Sequence, residues 1–65
     1  MKNISLNELP VDYKPIYAEK IYIEITHEKI LYNENTIKEL YDFYIGIEEY
    51  ERCAKVKYIY EQMTK

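Results

Sequence analysis

The sequence predicts an all-α fold: a small three-helix arrangement that ends in an antiparallel helical hairpin. Three observations lead there. A single glycine and two prolines among 65 residues leave few positions that break a hydrogen-bonded turn. Ile37, Leu40, Tyr41, Tyr44 and Ile45 recur at i, i+3, i+4, i+7 and i+8, the spacing of one apolar helix face. After Gly46 the apolar pattern restarts from Ile47 in a changed phase, which is how a second helix begins.

Taken in order, residues 1 to 14 read as an irregular N-terminal arm, and residues 15 to 65 as a single helical domain. Pro10 and Pro15 bracket Val-Asp-Tyr-Lys and forbid a continuous helix there. Ser5 and Glu8 have capping-box spacing, but Pro10 limits them to one turn. Residues 15 to 32 carry two periods at once. As a helix, Pro15 opens it, Tyr17, Ala18, Ile21, Tyr22, Ile25 and Tyr32 share a side, and Asn33 caps the C-terminal end. As a β-hairpin at about 19 to 32, Ile21, Ile23 and Ile25 alternate with polar neighbours and the chain turns near His27, giving an α+β alternative packed on the helical hairpin. The helix is favoured, because an isolated two-stranded hairpin is marginal in water.

The second helix is expected over 36 to 45, capped by Thr36 with Glu39 as its capping-box partner, or alternatively by Asn35. The third is expected over 47 to 63, with Glu48, Glu49 and Glu51 in its first turn, where negative charge complements the helix dipole, and Lys57 and Lys65 toward its other end. Its apolar residues form two stripes. Ile47, Tyr50, Ala54 and Tyr58 make one; Cys53, Val56, Tyr60 and Met63 make the other, with Ile59 at the margin. The preceding helix can cover one stripe. The N-terminal segment must cover the second, or another protein must.

Composition narrows the function classes. Hydrophobic residues at 48% rule out a disordered tail, since the chain can bury enough to offset its ordering entropy. Net charge is −3, with six Lys/Arg against eleven Asp/Glu over residues 1 to 52, and three Lys against one Glu from 53 to 65. No basic face is evident, so direct nucleic-acid binding is not expected. Cys53 is the lone cysteine, which fits a reducing, cytoplasmic setting, and no apolar run suits a signal peptide or a membrane span. Enrichment in Ile, Lys, Glu, Asn and Tyr looks like an AT-rich genome, such as a low-GC bacterium or its phage.

Few residues offer chemistry. Glu24 and His27 have Glu-x-x-His spacing, which aims two ligands at one metal on a helix, but one copy makes half a site, so no metal or other cofactor is expected. Cys53 and His27 have no orienting group or oxyanion hole on recognisable spacing, and an enzyme is not expected.

Tyr50-Glu51-Arg52-Cys53-Ala54-Lys55-Val56-Lys57-Tyr58-Ile59-Tyr60-Glu61-Gln62-Met63, preceded by a short helix and a small break residue, resembles the UVR motif, the helical hairpin of subunits B and C of the bacterial excinuclease. Tyr50 matches the motif's aromatic, Cys53 and Ala54 its alanine pair, Val56 its aliphatic, Lys57 its arginine, and Tyr60 and Met63 its later apolar positions. The likeness spans residues 36 to 63. The family places an acid where this chain has Tyr58, so the resemblance implies a hairpin that pairs with another hairpin rather than a repair activity.

The expectation is a non-enzymatic protein–protein interaction module: a small phage or mobile-element accessory protein that binds or inhibits a host protein, and a homodimer, with no direct nucleic acid or membrane partner. The interface residues expected are Phe43, Tyr50, Tyr58, Tyr60 and Met63, with Glu48, Glu49 and Glu51 at the rim. An acidic nucleic-acid mimic built on those glutamates and a purely structural homo-oligomeric module are the alternatives.

Overall fold

The computed structural model describes residues 2 to 64; Met1 and Lys65, the latter expected to help the basic end of the last helix, lie outside the described residues. The chain forms two single 3₁₀ turns, Leu6–Glu8 and Val11–Tyr13, followed by α1 (Lys14–Thr26), α2 (Glu34–Gly46) and α3 (Tyr50–Met63). The fold is all-α. The α+β alternative is not formed, since residues 14 to 26 are helical and no strand occurs among the described residues.

α1 stops six residues before the expected end at residue 32. The hydroxyl of Thr26 donates back to the Tyr22 carbonyl, and Lys29 takes a left-handed conformation at φ 55° that ends helical propagation. Residues 30 to 32 then run extended and meet the N-terminal segment: Lys2 N–H donates to Leu31 O at 3.0 Å, and Asn33 N–H donates to Lys2 O at 2.8 Å. Lys2 and Tyr32 thus form an isolated parallel bridge. The alternation of Ile21, Ile23 and Ile25 therefore produces no strand, since all three lie within α1, and the bridge at Tyr32 is a single pairing with a residue thirty positions away.

Asn33 caps the start of α2 instead of the end of α1. Its side-chain carbonyl accepts from Thr36 N–H at 2.8 Å, in place of the expected caps Thr36 and Asn35. Asn33→Ala is expected to cost about 1 kcal/mol, read as a lowered urea midpoint. Freed from capping, Thr36 pins the arm: its hydroxyl donates to Ile4 O at 2.6 Å and accepts from Ile4 N–H at 3.1 Å. Glu39 does likewise, accepting from the Ser5 hydroxyl and from Asn7 N–H. Both expected capping boxes are therefore replaced by one set of cross-links between arm and α2.

The arm contributes to the core as well. Leu6 is buried in the same core as Ala18, Ile21, Ile25, Ile37, Leu40 and Val56. Burying a leucine stabilises by about 1.5–3 kcal/mol, a large share for so short a chain. Residues 2 to 9 are a strap over α1 and α2 rather than a loose appendage.

The break between α2 and α3 also differs from expectation. Gly46 is the last residue of α2 and has no positive φ; Glu48 adopts the left-handed conformation, at φ 62°. Glu48 N–H donates to Ile45 O at 3.1 Å and Glu49 N–H to Tyr44 O at 2.9 Å, the paired bonds of a Schellman ending. α3 accordingly begins at Tyr50 rather than residue 47. Of the three glutamates expected in its first turn, only Glu51 is there; Glu49 is the N-cap position and Glu48 belongs to the turn. No helix is long and apolar enough to cross a membrane among the described residues.

Candidate protein-binding face

Burial of Cys53 and Val56 sets which side of α3 faces outward, and Arg52 ties the helix to both neighbours. Its guanidinium lies 4.6 Å from the Tyr22 ring centroid and 5.5 Å from that of Tyr44. One nitrogen donates to the Tyr44 hydroxyl at 3.1 Å, and another pairs with Glu19 at 3.4 Å. Tyr22 and Glu19 belong to α1 and Tyr44 to α2, so one side chain locks the roll of α3 against both neighbours. Tyr22 and Tyr44 pack edge to face at 5.8 Å and complete the stack.

With that roll, the two stripes of α3 part company. Cys53 and Val56 are buried, and Ile59, Tyr60 and Met63 pack half-buried against the core. Tyr50 and Tyr58 remain 62% and 63% exposed, with Ala54 exposed between them and Ile47, at 52%, just ahead in the turn. The arm, which could have covered this stripe, straps α1 and α2 instead. A Tyr50–Ala54–Tyr58 stripe at i, i+4 and i+8 is left facing solvent.

The expected interface residues thus separate into two sets. Tyr50 and Tyr58 stand on the open stripe, with Glu51 beside them and Glu48 and Glu49 exposed at its leading end. Phe43 packs on the core and meets Tyr44 edge to face at 5.5 Å, while Tyr60 donates its hydroxyl to Glu34 at 3.0 Å and Met63 packs against the core. That bond to Glu34 also pushes the Tyr60 phenol up from its ordinary value. These three are half-buried, so they can contribute only edges to a surface centred on α3.

Beside the stripe, between α3 and the C-terminal half of α1, runs an open groove of about 540 Å³. Buried Tyr22 and Ile25 line it deeply, Ala54 and Tyr58 form its α3 side, and Lys29 and Lys55 give it a basic border without a carboxylate, with His27 between α1 and Lys29. Sequence periodicity missed this groove, because its two walls come from helices separated by α2. It also missed the exposed Leu31, at 59%, and a separate exposed group of Val11, Tyr13 and Ile16 where α1 begins. Ile45, expected on the apolar face of α2, is 40% exposed.

The chemistry-bearing residues are otherwise occupied. Glu24 is buried and accepts from the Tyr32 hydroxyl and from Lys2 at 3.1 Å, whereas His27 is exposed at the end of α1, so the two do not meet. No cluster of three His, Cys, Asp or Glu groups suited to a metal occurs among the described residues. Cys53 is buried with its thiol directed at Tyr41 O, and burial, helped by the charge of Glu49, pushes that thiol up, away from reactive thiolate. Comparison of the chain with protein-family models, with characterised proteins and with solved structures finds no match.

Proposed function

We propose that this protein is a non-enzymatic protein-binding module whose contact surface is the outer face of α3. The observation that carries this reading is the exposed Ile47–Tyr50–Ala54–Tyr58 stripe, opposite the buried Cys53 and Val56. Tyrosines in such a position supply large contact area and lose little rotamer freedom on binding. The resemblance of the hairpin to the UVR motif supports the same reading, since it implies pairing with another hairpin. Small size and AT-rich composition favour an accessory or inhibitory role in a phage or mobile element, in the cytoplasm.

Tyr50→Ala and Tyr58→Ala are expected to change stability by less than about 0.5 kcal/mol, because both side chains are largely exposed. Binding should fall by at least about tenfold, as for anchoring aromatics at interface centres. The test is a photo-crosslinking phenylalanine analogue at position 58, compared with the same analogue at the exposed position 12 in the 3₁₀ turn before α1. A discrete protein adduct formed only from position 58, and lost with Tyr50→Ala, supports the proposal. Equal or absent crosslinking from both positions refutes it.

A further inference from the structure

We infer that the occupant of the α3 face is a second copy of this chain, packed antiparallel along α3 with Ala54 at the crossing point. The inference rests on the reading of that face as a protein-binding surface, and it names the partner. Tyr50 and Tyr58 lie four residues either side of Ala54, so a two-fold axis at Ala54 sets Tyr50 of one copy opposite Tyr58 of the other. The small side chain at the centre lets the two helices approach closely, and the tyrosines then close over both sides of the crossing.

Charge makes the arrangement self-complementary. Glu51 and Lys55 stand about 40° apart on one flank of α3, at 100° per residue. That flank borders the groove lined by Lys29 and His27. Rotation about the two-fold axis brings this flank against its own copy, with direction reversed. Glu51 of each copy then meets Lys55 of the other, with the basic border of the groove beyond it and no lining carboxylate to oppose it. A parallel pairing would instead put the two Glu51–Lys55 flanks on opposite sides of the contact, where neither meets the other, so this charge pairing exists only in the antiparallel orientation.

Both ionic residues are exposed, so substitutions should leave the fold intact. Sedimentation velocity over a concentration series, with circular dichroism as the folding control, tests the inference. Wild type is expected to dimerise, and Glu51→Lys and Lys55→Glu are each expected to weaken the dimer by about tenfold or more. The double variant Glu51→Lys with Lys55→Glu restores the pairing and should regain most of the loss, and Ala54→Arg should abolish the dimer at unchanged helicity. A monomer at every concentration overturns the inference, as does a double variant no better than either single one. If position 58 still crosslinks a different protein, only the identity of the partner falls; if it crosslinks nothing, the binding proposal falls with it.

Discussion

Leu40→Ala is expected to lower unfolding free energy by about 2–5 kcal/mol, the usual cost of truncating a fully buried leucine. Leu40 is 0% exposed in the middle of α2, within a core that also holds Ile37, Ile21 and Val56. A chain of this length has a total stability on the order of 3–10 kcal/mol, so this single change can remove most of it. Urea titration followed by helical circular dichroism should show the midpoint falling by two molar or more, on the order expected for a small domain. A loss below about 1 kcal/mol would mean that the core around α2 relaxes to fill the space. Tyr58→Ala, at a site 63% exposed, serves as the reference that should scarcely move.

Glu24 supplies the second large effect, and it is pH-dependent. Its carboxylate is 7% exposed and accepts from the Tyr32 hydroxyl and the Lys2 ammonium. The Tyr32 bond holds it below the ordinary value of 4.5, against the opposing effect of burial and with further help from Lys2. A carboxyl with a lower folded than unfolded value stabilises fully above its ordinary range. That contribution disappears as pH falls from about 4.5 through the lowered folded value. At the alkaline end, burial and then the bond to Glu24 push Tyr32 from 10.0 up to about 12. The stabilisation from the neutral phenol is complete below pH 10 and vanishes as pH rises through about 12.

Glu24→Ala leaves the Tyr32 hydroxyl without its acceptor, which is expected to cost about 1–3 kcal/mol at neutral pH. It also loosens the strap, because Lys2 holds Glu24 by its side chain and Leu31 and Asn33 by its backbone. Glu24→Gln keeps an acceptor for Tyr32 but cannot titrate. Between pH 7 and pH 3 the urea midpoint of the wild type should fall more steeply than that of Glu24→Gln. Parallel curves would show that the other carboxylates govern acid unfolding.

Much of the hairpin was readable in advance because helical periodicity is a local property. Ile37, Leu40 and Tyr44 are buried as their spacing requires, and Cys53 and Val56 form the inner stripe of α3. The candidate face was half readable for the same reason. Tyr50, Ala54 and Tyr58 could be grouped from spacing, but spacing does not say which of two stripes a helix turns inward. That choice follows from which stripe the other two helices bury, here Cys53 and Val56, with Arg52 reaching Tyr22, Tyr44 and Glu19 beside it. Phe43, Tyr60 and Met63 are expected beside Tyr50 and Tyr58 in one interface, but the structure packs them against the core instead.

By itself, the sequence determined the helical class, the position and inner face of α2, and the existence of a hairpin with more apolar surface than one neighbour can cover. All of these follow from side-chain period and from the scarcity of helix breakers. Tertiary structure alone decided where α1 stops, that Asn33 caps α2, that residues 2 to 9 strap the core, and which way α3 is rolled. Each of those outcomes assigns a partner to a polar group, and several groups found theirs far along the chain: Thr36 with Ile4, Glu39 with Ser5, Glu24 with Lys2. A buried donor or acceptor takes the partner that the fold brings within reach, and only then does a local preference such as a capping box yield.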